Sequence, residues 1–277
     1  MSKLYIVGTP IGNLGDFSER AKKTLENVDF IAAEDTRVTL KLLNHFNIKN
    51  TIISLHKHNE IEKSEQIIEK IKAGSSCALV TDAGMPAISD PGEYLVHLCY
   101  KKEVPVESVP GPTAVTTALA LSGMYTGRFS FEGFLSTNKL SRAEHLNEIK
   151  DRRETLVFYE APHKLLSTLK DMLNVLGDRN LAVIKELTKI HENVMHTSLK
   201  EAVEYFAENA PKGEYVLVVE GKEKPEEQTF SLDDAVNLAT KLKSEGLPLT
   251  EAAKEAAAAC GFKKSEIYKM LINNKED

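Results

Sequence analysis

The stretch CALVTDAGMPAISDPG, residues 77 to 92, runs four apolar residues straight into a loop with two aspartates, two glycines and two prolines. CALV (77–80) has no polar alternation, so it reads as a strand covered on both faces. In the loop, glycines let a ligand approach the backbone and prolines stiffen it. Asp82 and Asp90 can accept hydrogen bonds from hydroxyl or amino groups. The competing reading is an elaborate turn in which Asp90 caps the next helix.

Similar runs lie to either side: LYIV (4–7), DFIAA (29–33), TIISL (51–55) and VPVESV (104–109). Helical patterns separate them at 18–27, 38–46, 60–72 and 93–102, and Ile61, Ile67, Ile68 and Ile71 form an apolar stripe in the third. Alternation of this kind implies an α/β domain with parallel crossovers. A second series follows Gly127: FSFEGF (129–134), TLVFYE (155–160), LAVIKEL (181–187) and YVLVVEG (215–221), with helical patterns at 139–150, 163–175 and 199–208. KEKPEEQ (222–228) is charged and lacks apolar periodicity, as linkers do. Beyond it the pattern is wholly helical from Leu232 to Asn273, broken at Gly246–Pro248 and at Gly261. The expected domains are therefore 1–115, 116–224 and 230–277.

Composition narrows the function classes. The 277 residues, 42% hydrophobic and 27% charged, suit a globular protein of two or three units. A net charge of −6 argues against coating nucleic acid by bulk electrostatics, so any RNA contact must be a local basic patch. Cys77, Cys99 and Cys260 are odd in number and lack metal-ligand spacing; they read as reduced and buried, with no metal implied. The N-terminal apolar run is too short for a signal segment, and the uncharged stretch 108–127 holds three glycines and two prolines, a poor membrane span. A cytoplasmic protein without a membrane partner is the expectation.

Other segments carry candidate chemistry. GTPIGN (8–13) follows a strand, but Gly8, Gly12 and Gly15 do not have dinucleotide-binding spacing, and Pro10 removes a phosphate-cradling N–H. VPGPTA (109–114) leads into a helix of small residues that can pack close to a ligand or to a sheet. AAEDTR (32–37) puts Glu34, Asp35 and Arg37 at a strand end, as a base with a phosphate-holding arginine or as a helix cap with an ion pair. Glu186 and Lys189 form a second acid and lysine pair suited to proton transfer or to a plain ion pair. His56, His58 and His163 read as loop histidines that either meet the ligand or merely face solvent; His191 and His196 read as structural. Arg142, Lys150, Arg152 and Arg153 gather around a predicted exposed helix as a candidate RNA-facing edge, diluted by Glu144, Glu148 and Asp151. Near the C-terminus, Ala257, Gly261 and Ile267 have helix-turn-helix spacing with Ala256, Phe262 and Met270 as core, and Lys263, Lys264 and Lys269 make a basic face. A small packing bundle is the bland alternative.

GTPIGN, TDAGMPAISDPG and VPGPTA, in that order, resemble the tetrapyrrole methylase superfamily, and AAEDTR, EGFL (132–135), FYEAPHK (158–164) and KELTK (185–189) extend the likeness to its ribosomal-RNA-methylating branch. The resemblance covers nearly the whole chain. It implies two α/β domains with S-adenosylmethionine in the cleft between them, usually in a homodimer. By the same resemblance Pro10, Asp82, Ala83, Gly84, Thr113, Ala114, Tyr159, Glu160 and Leu187 fall at the cofactor. The implied substrate is the ribose 2′-hydroxyl of a cytidine in small-subunit (16S) ribosomal RNA or the assembled 30S subunit, near the decoding centre. TDAGMP stands where tetrapyrrole-specific members carry a GGDP-like loop, which counts against a porphyrinoid substrate. A small-molecule methylase and a non-catalytic RNA-binding factor are the competing functions; the helical C-terminus disfavours the first and the intact loops disfavour the second.

Overall fold

The computed structural model describes residues 2–223 and 230–273. The chain divides into two compact units, residues 1–223 and 224–277. The first unit contains two five-stranded sheets. In the first sheet β1 (Leu4–Val7), β2 (Phe30–Ala33), β3 (Ile52–Ser54), β4 (Cys77–Val80) and β5 (Val106–Val109) run parallel in the order β3-β2-β4-β1-β5.

Burial on both faces explains the continuous apolar runs. Leu4, Phe30, Ala32, Cys77 and Leu79 point to one side, against Ile67, Ile68 and Ile71 of α3 (Glu60–Lys72) and Leu95 and Leu98 of α4 (Glu93–Lys101). Val7, Ile31, Ala33, Ala78 and Val80 point to the other, against Ala21 and Leu25 of α1 (Glu19–Asn27) and Leu43 of α2 (Thr36–His45). Ile61, expected in the α3 stripe, is 68% exposed; it lies in the first turn of α3, before the buried run that begins at Ser64. The chain moves from β1 outward on one side and from β4 across β1 to β5 on the other, so the strand order reverses between β4 and β1. Open α/β sheets bind ligands at the carboxyl edge of such a reversal.

The second sheet has the order β6-β7-β10-β8-β9, from β6 (Phe129–Phe134), β7 (Thr155–Glu160), β8 (Asn180–Lys185), β9 (Asn193–Ser198) and β10 (Tyr215–Val219). Only β6 and β7 pair in parallel; β7–β10, β10–β8 and β8–β9 are antiparallel. α5 (Ala114–Leu121) covers one face through Val115, Ala118 and Leu119, and α6 (Lys139–Ile149), α7 (Leu165–Leu176) and α8 (Leu199–Glu208) cover the other. β9 is a strand the sequence pattern does not announce. It is a half-exposed edge reading NVMHTS, where polar side chains cost little.

In the second unit α9 (Leu232–Ser244), α10 (Leu249–Cys260) and α11 (Lys264–Asn273) bury Ala235, Ala239, Ala253, Ala256 and Ile267 in a small core. Ser231 and Asp234 form a reciprocal capping box that starts α9, and Gly261 ends α10 in the left-handed conformation at φ 77°. Phe262 and Met270 are only partly buried against this core. Cys77 and Cys99 are buried as expected, but Cys260, at the end of α10, is partly exposed. No described helix is long and apolar enough to cross a membrane.

Candidate active site

Three loops meet at the carboxyl edge of the first sheet and are laced to one another. The Thr9 N–H donates to the Gly84 carbonyl at 2.9 Å and the Gly84 N–H returns to the Thr9 carbonyl at 3.2 Å. Thr9 Oγ1 donates to the Thr81 carbonyl at 3.1 Å. Gly8 and Gly111 cross so closely that a Cβ on Gly8 would stand 2.7 Å from the Gly111 backbone. The glycines of GTPIGN and VPGPTA therefore serve loop-to-loop approach, not a phosphate cradle.

Two cavities that share a wall open on these loops, and a third, about 480 Å³, lies beside Pro110, Gly111 and Pro112. The larger of the pair, about 580 Å³, lies between Ala83, Gly84, Asp90, Thr113 and Ala114 of the first-sheet loops and Phe134, Tyr159, Glu160 and Leu187 of the second sheet. The smaller, about 430 Å³, is bounded by Pro10, Gly12 and Asp82, by Val38 and Leu42 of α2, and by Lys189. Ile11, Ala83 and Glu214 line both, so the cavities are neighbours along one wall. Seven of the nine residues expected at the cofactor line the larger cavity. Pro10 and Asp82 line the smaller one instead, with Ala83 on the shared wall.

Electrostatics differ between the acids here. Asp90 is not a helix cap: the first N–H groups of α4, from Gly92 and Tyr94, donate to Glu60 Oε1 at 2.8 and 3.1 Å. That leaves Asp90 on the larger cavity wall, where burial and the nearby Glu34 carboxylate push its pKa up to about 6. Asp82 is raised for the same two reasons. Its Oδ1 accepts the Asp35 N–H at 3.2 Å, while Oδ2 makes no hydrogen bond among the described residues. Burial pushes the Tyr159 phenol up to about 12, its ring packed edge-on against Phe131 and Phe134. Glu160 is fully engaged, its carboxylate accepting from Thr168 Oγ1 at 2.5 Å and the Ala161 N–H at 2.8 Å, with Lys164 at 3.8 Å.

Of the five expected catalytic residues, only Lys189 reaches a cavity. Asp35 caps α2 by accepting the Arg37 N–H at 2.8 Å, and Arg37 closes back on it with Nε at 3.0 Å and Nη2 at 2.6 Å. That pair holds the Asp35 carboxyl far below its ordinary range. Glu34 accepts the Thr81 hydroxyl at 2.6 Å and lines neither cavity. Glu186 accepts the Glu214 N–H at 2.9 Å and Lys189 Nζ at 3.1 Å, and these partners, the backbone N–H first, lower its pKa. Burial works against the Lys189 charge, but hydrogen bonds to Glu214 (2.8 Å) and Glu186 raise it above its ordinary value.

The turn that carries Lys189 is strained. Glu186 and Thr188 both have positive φ, 52° and 65°, and Thr188 Oγ1 is buried without a partner. Such strain, about 1–3 kcal/mol per residue, concentrates where geometry serves function. Sequence reasoning missed it, since neither residue type signals a left-handed backbone. It also missed the exposed face of α2, where Val38 at 37% exposure, Lys41, Leu42 and His45 form a cavity wall. His163 lines the larger cavity; His56 and His58 line neither.

The expected basic edge on α6 is weakened. Arg142 is buried, pairing with Asp171 at 2.6 Å and donating to the Ser136 carbonyl at 2.9 Å, and Arg152 pairs with Glu132 at 2.8 Å. In the second unit Lys263 and Lys264 line an open groove with Tyr268 at the start of α11, and Lys269 is exposed nearby in sequence.

The family described as Tetrapyrrole (Corrin/Porphyrin) Methylases matches residues 3–203. Solved structures with this fold include a diphthine synthase (TM-score 0.62, 17% identity, 81% of this chain and 92% of that one). Another is a cobalt precorrin-4 methyltransferase (TM-score 0.58, 20% identity, 78% and 94%). The chain is 43% identical to ribosomal RNA small subunit methyltransferase I of Synechocystis, with each covered completely. It is 46% identical to the protein of that name from Vibrio cholerae, over 98% of this chain and 94% of that one. Full-length identity at this level, joined to the laced loops and paired cavities, places the chain in the tetrapyrrole methylase family, in its ribosomal RNA small subunit methyltransferase I group.

Proposed function

We propose that the chain transfers a methyl group from S-adenosylmethionine to the ribose 2′-hydroxyl of a cytidine in small-subunit ribosomal RNA near the decoding centre, acting in the cytoplasm as a homodimer. The observation that carries this reading is the pair of adjoining cavities. A methyl transfer between two bound molecules needs two sites that meet at one wall, and Ile11 and Ala83 form it.

The larger cavity suits the methyl donor. Its volume lies in the range of small-molecule sites, about 300–1,000 Å³, and its wall alternates backbone loops with apolar and aromatic side chains. Ala83, Gly84, Thr113, Ala114, Tyr159 and Leu187 are the residues to hold it, with Asp90 as an acceptor. A neighbour in fold, the uroporphyrin-III C-methyltransferase of Thermus thermophilus, was solved complexed with S-adenyl homocysteine. When bound, S-adenosylmethionine supplies a methyl on a sulfonium, which leaves as a neutral thioether.

In the transfer an O–CH₃ bond forms at the ribose oxygen, the S–CH₃ bond breaks, and the hydroxyl proton passes to a base or to water. The chain's part is to align the hydroxyl and to accept or steer that proton. Lys189 is the one expected catalytic residue that lines the acceptor side, and as a cation held by Glu186 and Glu214 it can orient the hydroxyl but not take its proton. Glu186 positions Lys189, Glu34 positions Thr81, and the Asp35–Arg37 pair fixes the first turn of α2. On a chain of net charge −6, Lys263, Lys264 and Lys269 supply the local positive face for RNA phosphate.

Incubation with tritiated S-adenosylmethionine and purified small ribosomal subunits tests the reading. Label in the ribosomal RNA is expected; label in a precorrin and none in RNA would refute it.

A further inference from the structure

The smaller cavity has no assigned occupant, and three features describe one. First, it adjoins the larger cavity along Ile11 and Ala83, so whatever fills it meets the methyl donor's site. Second, its α2 wall is apolar and only partly core: Val38 and Leu42 lie one turn apart, Val38 is 37% exposed, and Leu42 is half-buried against the core beneath α2. An exposed apolar wall beside a polar floor takes a flat, partly apolar group with hydrogen-bonding edges. Third, its polar groups are divided. Asp82 stands near the shared wall with one oxygen free of hydrogen bonds among the described residues, and Lys41 and His45 follow Val38 along α2, whereas Lys189 on the lining is already paired with Glu186 and Glu214.

A nucleotide has this layout, with a planar base, a ribose carrying the reacting hydroxyl, and phosphates on either side. Proteins that read RNA by sequence splay single-stranded bases onto apolar surfaces and hold the backbone with cations. We propose that the acceptor cytidine is extruded from its strand and seats its base against Val38 and Leu42, with its ribose hydroxyl on Asp82 and a flanking phosphate by Lys41. This assignment rests on the methyltransferase reading above and adds the place and posture of the acceptor. It makes Asp82 an acceptor-side residue. Burial and Glu34 raise its pKa, whereas hydrogen-bond partners lower those of Asp35 and Glu186.

Two substitutions test it on the full-length protein, with small ribosomal subunits as substrate and S-adenosylhomocysteine as the cofactor probe. Val38→Trp fills the cavity from a position that is already solvent-facing, and Leu40→Trp, on the same helix and lining neither cavity, is its control. Val38→Trp should raise the KM for subunits at least tenfold and weaken their equilibrium binding, with the calorimetric Kd for S-adenosylhomocysteine within twofold of wild type. Leu40→Trp should leave all three unchanged. Asp82→Asn keeps the acceptor for the Asp35 N–H, and should lower kcat about a hundredfold at unchanged subunit KM and cofactor Kd. Wild-type kinetics in Val38→Trp, or a loss of cofactor affinity in Asp82→Asn with kcat intact, would overturn the proposal. Absence of transfer to subunits by the wild-type protein would overturn the functional reading itself, and the assignment of the cavity with it.

Discussion

Replacing Gly8 by alanine should damage stability and activity together, because the crossing of Gly8 with Gly111 holds two of the three site loops in place. The added methyl would stand 2.7 Å from Gly111 Cα and N, where ordinary contacts start at 3.4 Å. Met85 Sδ, equally close, can swing away, but the Gly111 backbone cannot, so the loops must part by at least ~0.7 Å. Overpacking of this kind costs about 1–3 kcal/mol, which corresponds to a fall in Tm of roughly 3–10 °C. The displaced loops carry Ile11 and Thr113 on the cavity walls, and a shift approaching 1 Å at a reacting centre can cost up to about 10²-fold in rate. Differential scanning fluorimetry, calorimetry with S-adenosylhomocysteine and a tritium transfer assay measure the three effects. Gly111→Ala puts its methyl 2.9 Å from Gly8 C and Cα at the same crossing, so the double variant should lose less than the sum of the singles. A Gly8→Ala protein melting within about 1 °C of wild type and transferring methyl at the same rate would refute the account of the loops.

Asp90→Asn should raise Tm at pH 7.5 and leave it unchanged below pH 3.8. The native carboxyl, at about 6 against an ordinary 3.8, binds its proton more tightly when folded, so wild-type stability falls as pH rises through that window. A Tm difference independent of pH would contradict this. Arg142→Ala should cost about 3 kcal/mol in chemical denaturation by stranding Asp171, with little change in subunit binding; weakened RNA binding in a still-folded variant would restore it to an RNA edge. Deleting residues 230–277 should weaken subunit binding at least tenfold and preserve the Kd for S-adenosylhomocysteine, and unchanged subunit binding would remove the role of the lysine face.

The first sheet was legible because β2 and β4 are buried on both faces, which leaves FIAA and CALV without polar residues. β9 was not, since an edge strand with one solvent face can read NVMHTS and look like a loop. At the site, the glycine- and proline-rich loops stand out in the sequence as places for a ligand to approach the backbone, but nothing in it tells how they divide between two cavities. The sequence of Asp82, Ala83 and Gly84 suggests one contact surface. In space, Asp82 faces one cavity, Gly84 the other and Ala83 both. Asp35 and Arg37 allowed two roles by composition, and the return of Arg37 onto the residue two positions before it selects the structural one. On α2, Val38 and Leu42 share helical spacing with the buried Leu43 and Thr39, so periodicity alone could not separate cavity wall from core.

The central claim is methylation of a ribose in small-subunit ribosomal RNA, and nucleoside mass spectrometry of that RNA tests it most directly. RNA from cells lacking the protein should lose one 2′-O-methylcytidine, and purified protein with S-adenosylmethionine should restore it on isolated small subunits. An unchanged modification profile, or a lost methyl that sits on a base in place of a ribose oxygen, would contradict the account.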